Sequence, residues 1–162
     1  MDLQYPVGKF KWEGVITDEQ RRQLIDQIEQ APAQLRKALA GLTEEQVDTP
    51  YRPGGWTVRQ VVHHLSDSHM NAYVRFRLAL TEDEPTIKPY DQARWASLED
   101  ARTAPAELSL SLLEFLHRRF ARTFRHPEMG VVTLDKSLGM YAWHGRHHIA
   151  HITSLRDRMG CE

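Results

Sequence analysis

Apolar residues recur three and four apart along four stretches of this chain, the spacing of one buried face on an α-helix. The first stretch runs through Leu24, Ile25, Ile28, Leu35, Leu39 and Leu42. It opens at Thr17-Asp18-Glu19-Gln20, a capping box whose Thr hydroxyl and Gln amide serve the free end of a helix. The pattern predicts a helix from Asp18 to Ala40, with a kink or break near Ala31 because Pro32 removes a backbone donor. The second stretch opens the same way at Trp56-Thr57-Val58-Arg59-Gln60, and Val58, Val62, Leu65, Ala72 and Phe76 carry it to about Leu80. The third begins at Pro105, a residue suited to a first helical turn. Leu108, Leu112, Leu113, Leu116, Phe120 and Phe124 mark it, and it ends near Thr123. The fourth holds Leu134, Leu138, Tyr141, Ala142, Ile149, Ile152 and Leu155, is capped by Thr133 or Asp135, and closes near Met159-Gly160. Gly139 and Gly145 weaken it by roughly 1 kcal/mol each relative to Ala, but let a neighbouring helix or a ligand come close.

The connections differ in kind. Residues 1–16, with Pro6, Gly8 and Gly14, read as an irregular arm. Pro50, Pro53, Gly54 and Gly55 make 43–55 a loop. Residues 81–104 form a long connection whose Tyr90 and Trp95 argue for a packed loop over a site. His126-Pro-Glu-Met-Gly130 links the last two helices. Four amphipathic helices without a strand pattern predict an all-α four-helix bundle, one domain over residues 1–162. The long connections permit a topology other than simple up-down.

Composition then narrows the function classes. Apolar residues make up 41% and charged residues 27%, as in a soluble globular domain with a real core. The net charge of −1 offers no basic stripe for a nucleic acid. No apolar run is long enough to span a membrane, and the N-terminus lacks the basic-then-apolar order of a signal peptide. The single cysteine, Cys161, cannot form an internal disulfide, so these features point to the cytoplasm.

The candidate chemistry is histidine. Four of the nine histidines fall in eight positions, from His144 to His151. On a helix, His144, His148 and His151 form one ridge, while His147 stands about 100° around from His148. Two imidazoles one turn apart can share a metal ion. The Glu that a zincin helix needs after its first His is absent here, so a third ligand must come from another helix. The second helix offers His63, His64 or His69. His64 is chosen because its side of the helix neighbours Val61 and Leu65. Three imidazoles leave one tetrahedral position open, the pattern of a catalytic rather than a closed structural site. Zinc, nickel and iron all accept imidazole. Asp67, one turn beyond His64, is a candidate to orient that ring. His151 is a candidate to support the ligands or to face a substrate. His117 and His126 have no partner spacing and read as surface or loop histidines. Trp56, Trp95 and Trp143 read as packing residues, although Trp143, beside His144, can also line a pocket. No residue stands out as a catalytic base, and catalytic residues remain unknown at this level.

Pro53-Gly-Gly-Trp-Thr-Val-Arg-Gln-Val-Val-His63-His64-Leu-Ser-Asp-Ser-His-Met-Asn71 resembles the second-helix signature of the YfiT-like branch of the DinB superfamily. Ile87-Lys-Pro-Tyr-Asp91, and Tyr141-Ala-Trp-His144 through His151-Ile, resemble two further signatures of that branch. The three occur in order and the resemblance covers nearly the whole chain. It implies a four-helix bundle, commonly a homodimer, holding one divalent metal, zinc or nickel, through His64, His144 and His148. It further implies a metal-dependent hydrolase acting on a small molecule. The alternatives are an S-transferase that uses a low-molecular-weight thiol of the bacillithiol type on small electrophiles, or a non-catalytic metal-binding bundle. Neither a nucleic acid nor a membrane is an expected partner. The segment between Phe124 and Leu134 is shorter than in the relatives.

Overall fold

The computed structural model describes residues 2–12, 14–121 and 132–160. Seven helices follow in order: α1 (Asp18–Leu39), α2 (Glu44–Val47), α3 (Val58–Thr81), α4 (Gln92–Ala96), α5 (Glu99–Thr103), α6 (Ala106–Ala121) and α7 (Val132–Met159). The four long ones form a four-helix bundle, and no strand occurs among the described residues. Complete capping boxes start α1 at Thr17 and α3 at Thr57, where the sequence places them. A third box, Thr43 with Gln46, starts the short helix α2 inside the segment expected to be loop.

Two apolar clusters set the helix directions. The larger joins Leu35 of α1, Val58, Val62 and Leu65 of α3, Leu110 and Leu113 of α6, and Ile149 and Ile152 of α7. The smaller joins Ile28 of α1, Ala72 and Phe76 of α3, and Leu138, Tyr141 and Ala142 of α7, with Leu116 of α6 against it. Passing from the smaller cluster to the larger, α1 and α7 run forward while α3 and α6 run backward. The bundle is therefore up-down-down-up. Successive helices α3 and α6 are parallel, so the chain must return along the whole bundle between them. That explains residues 82–105, which carry α4 and α5 instead of an unstructured loop. Each fully buried Leu, Ile or Val in these clusters stabilises the fold by about 1.5–3 kcal/mol.

Several expectations are corrected. α1 runs unbroken through Pro32. Proline leaves the carbonyl four residues back, that of Ile28, without its helical donor. His117 of α6 reaches that carbonyl, which draws the imidazole pKa up against the larger effect of burial. His117 is thus a buried interhelical residue, 5% exposed, and not a surface histidine. On α6, Leu108 and Leu112 face outward at 63% and 45% exposure, because the inward face runs through Leu110, Leu113 and His117. α7 begins at Val132, which puts Thr133 and Asp135 inside its first turn and not at its cap. The 126–130 link, Thr123, Phe124 and the 124–134 comparison lie wholly or partly outside the described residues.

Candidate metal centre

On α7, His144, His147 and His148 occupy the level between Ala142 of the smaller cluster and Ile149 of the larger. His64, between Val61 and Leu65 on α3, reaches the same level from the facing helix. The imidazoles of His64, His144 and His148 converge there. His144 Nε2 lies 3.3 Å from His64 Nε2 and 3.2 Å from His148 Nε2. All three donor atoms fall within 4.8 Å of one another. Zinc–nitrogen bonds of about 2.05 Å set a tetrahedron edge of roughly 3.3 Å, so two of the three edges already have the right length. A lone hydrogen bond explains this geometry poorly, since one Nε2 cannot pair well with two others at once. The Nδ1 atoms of His144 and His148 are buried without a hydrogen-bond partner among the described residues.

Burial keeps the rings neutral, which is the form that binds metal. It pushes the His64 pKa down to about 4, with His147 adding to the effect. It holds His144 and His148 well below the ordinary imidazole range, reinforced by each ring's histidine neighbours. The donor set, its spacing and its charge state fit a divalent metal.

The remaining histidines have other partners. His63 turns away from the centre, its Nδ1 2.7 Å from the Ser109 hydroxyl and its Nε2 3.1 Å from the Ala104 carbonyl. His69 lies behind His144, with ring centroids 6.2 Å apart, and pairs through Nδ1 with His117 Nε2 at 2.8 Å. Asp67 does not orient His64. Burial and then Asp100 raise its pKa to about 6, and Tyr90 lies beside it.

A pocket of about 420 Å³ opens over the centre. The arm forms one wall: Tyr5 stacks on His147 at 5.9 Å, His151 Nε2–H donates to the Gln4 carbonyl, and Trp143 Nε1–H donates to the Gly8 carbonyl. The second wall is the tight turn before α3, closed by Tyr51 N–H to the Trp56 carbonyl at 3.0 Å and Val58 N–H to the Thr49 carbonyl at 3.2 Å. This turn stacks Tyr51 on His151 at 3.9 Å and sets Trp56 4.8 Å from His64. Trp56 and Trp143 therefore line the pocket as well as packing, whereas Trp95 sits against Tyr90. Asp91 caps α4. Burial lowers the pKa of His147, and burial followed by His147 takes His151 to about 4.

Sequence spacing placed His64, His144 and His148 together, and the structure brings them together. It missed the roles of Tyr5, Tyr51 and Arg52 in the pocket wall, and for Tyr51 and Arg52 the only signal was the Pro53–Gly54 turn beside them.

Residues 27–152 match the family model described as the DinB superfamily. A protein of Bacillus mycoides strain KBAB4, bearing the name "Putative metal-dependent hydrolase", is 51% identical, with 98% of each chain covered. A relative with that name in Bacillus cereus strain ATCC 10987 is 52% identical over the same share of both chains. Among solved structures, YfiT from Bacillus subtilis aligns over 100% of both chains with a TM-score of 0.91 and 48% identity. It is described as a probable metal-dependent hydrolase with an unusual four-helix bundle topology.

Proposed function

Because this chain belongs to the DinB superfamily, we propose that it is a metal-dependent hydrolase of a small molecule, with His64, His144 and His148 holding one divalent metal, zinc or nickel. The observation that carries the reading is the convergence of three neutral imidazole nitrogens, two of their three separations at tetrahedral-edge length, beneath an open pocket. The relatives' names supply the reaction class.

A divalent metal held there would supply Lewis acidity, polarising a substrate carbonyl and lowering the pKa of water toward ~7. The chain's own residues do the rest. Trp56 and Trp143 give the pocket two apolar, aromatic walls. His147 and His151 are neutral groups in the pocket wall, and burial disfavours their protonation. His151 uses Nε2–H for the Gln4 carbonyl, so its lone pair is on Nδ1.

One observation favours a second reading. Among the described residues, no carboxylate lines the pocket. A thiolate transferred to an electrophile needs no base once formed, so S-transfer from a low-molecular-weight thiol suits this wall as well.

The test is metal content of untagged protein, followed by turnover of ester, amide and thiol–electrophile panels. About one divalent metal per chain is expected, with His144→Ala weakening its binding by more than ~100-fold, since even residues that only support a ligand cost 10–100-fold. Hydrolysis lost in His144→Ala would support the first reading, and thiol consumption alone the second. A wild-type chain that folds and takes up no zinc, nickel or iron would end both.

A further inference from the structure

We infer that Arg52 is the anion anchor of the pocket, and that the substrate carries a carboxylate or phosphate group remote from the bond that reacts. The inference deepens the hydrolase reading and rests on its three-histidine centre.

Arg52 is the one charged side chain among the residues lining the described pocket. Its hydrogen bonds within the described structure go to neutral groups: Nε–H donates to the Tyr51 hydroxyl at 3.2 Å, and Nη1–H to the Pro53 carbonyl at 3.2 Å. Its guanidinium lies over the Tyr51 ring, 5.4 Å from the centroid, and the other described ring against Tyr51 is that of His151. These contacts hold the guanidinium in place without neutralising it, and Nη2 retains donors for a ligand.

The turn is shaped around this side chain. A Cβ at Gly55 would come 2.8 Å from Arg52 Cγ and 3.1 Å from the Tyr51 ring. Gly54 takes φ +67, a conformation that favours glycine. Two consecutive glycines thus let the chain fold back against the base of Arg52 and point its head into the pocket.

Electrostatics set the ligand's sign. The protein carries a net charge of −1, yet among the described residues no negative side chain lines this pocket. A divalent metal held by three neutral imidazoles adds further positive charge. A cationic concavity of this kind concentrates anions and rejects cations, and the guanidinium fork matches the two oxygens of a carboxylate or phosphate. Arg52 and the three histidines line the same pocket of about 420 Å³, so an anion on Arg52 and a group at the centre can belong to one small molecule.

The zinc-loaded protein tests this with probes that separate the two ends. Succinic and glutaric monohydroxamic acids carry a metal-binding head and a distal carboxylate. Phosphonopropionohydroxamic acid carries a distal phosphonate. The matched neutral probes end in a carboxamide. Dissociation constants come from isothermal titration on wild type, Arg52→Gln and Arg52→Lys.

In wild type, the best anionic probe is expected to bind at least ~10-fold tighter than its carboxamide partner, as for a charge-assisted contact. Arg52→Gln should remove that advantage and leave the carboxamide affinity unchanged, which also shows that the variant is folded. Arg52→Lys should keep part of it. Equal binding of anionic and neutral probes in wild type, or an advantage that survives Arg52→Gln, overturns the anchor while leaving the metal centre standing. No hydroxamate binding at all overturns the centre, and the anchor with it.

Discussion

His144 shows how much one side chain's surroundings decide. It shares its level with His64 and His148 at hydrogen-bond distance, yet no arrangement of protons satisfies all three nitrogens well. These three positions were legible because helical period fixes which residues share a face. His117 was not, because its partners, His69 and the Ile28 carbonyl, belong to other helices and leave no spacing in the sequence. The buried histidines also fix a pH dependence. His117 and His151 each have a folded-state pKa of about 4, against an ordinary value of 6.5, and burial lowers that of His63. The unfolded chain therefore binds more protons than the folded one below pH 6.5. The stability these groups contribute is fully present above that pH and is lost as pH falls toward 4. Urea midpoints of chelator-treated protein should drop steadily from pH 7 to pH 4.5. A flat profile over that interval would contradict the burial described.

At the scale of the element, α1 and α7 each carry a residue that a lone helix would reject. Pro32 removes an internal donor from α1, and the neighbouring helix α6 compensates through His117. His117→Leu should cost about 2 kcal/mol, because it strands the Ile28 carbonyl and His69 Nδ1 together. Pro32→Ala should recover part of that loss by restoring the helical donor. Denaturant melts of the two single variants and the double variant would reveal this as a coupling of 0.5 kcal/mol or more, the range seen for residues that share a partner. The sequence predicted a kink or a break near Ala31, and the break does not occur, because local rules contain no term for a donor from another helix. Gly145 is the second case, where a Cβ would meet Ala31 Cβ of α1 at 3.4 Å. Ala fits there and adds helix propensity, so Gly145→Ala should be nearly neutral or mildly stabilising. Gly145→Leu should cost about 2 kcal/mol by prying α1 from α7. Equal melting midpoints for the two variants would show that this contact is not tight. The face assigned to α6 was right in part: Leu113 is buried as its spacing predicted, but Leu108 and Leu112 face outward and Leu110, which the spacing passed over, is buried.

Across the whole molecule, four helices and the centre between them were readable from periodicity, while α2, α4 and α5 were not. α4 and α5 lie on the return path that parallel α3 and α6 require, α2 lies in the connection from α1 to α3, and helices of four or five residues leave no periodic signal. Arg59 fastens α2 and the return path to the bundle. Its buried guanidinium donates to Asp48 at 2.7 Å, to Glu44 at 2.6 Å and to the Ala104 carbonyl at 3.0 Å. Arg59→Met should cost about 2 kcal/mol, the range of a hydrogen bond to a charged group, because both exposed carboxylates simply rehydrate. A urea midpoint equal to wild type would show that α2 and the return path are held by packing alone. The arm that closes the pocket has a consequence for the chain's manufacture. Gln4 waits for His151, 147 positions later, and His64 waits for His144, 80 positions later. At about 5–20 residues per second on the ribosome, the arm spends roughly 7–30 s without its partner. A nascent chain stopped anywhere before residue 144 presents at most one imidazole of the triad, so loading of the centre reports that synthesis has passed that point.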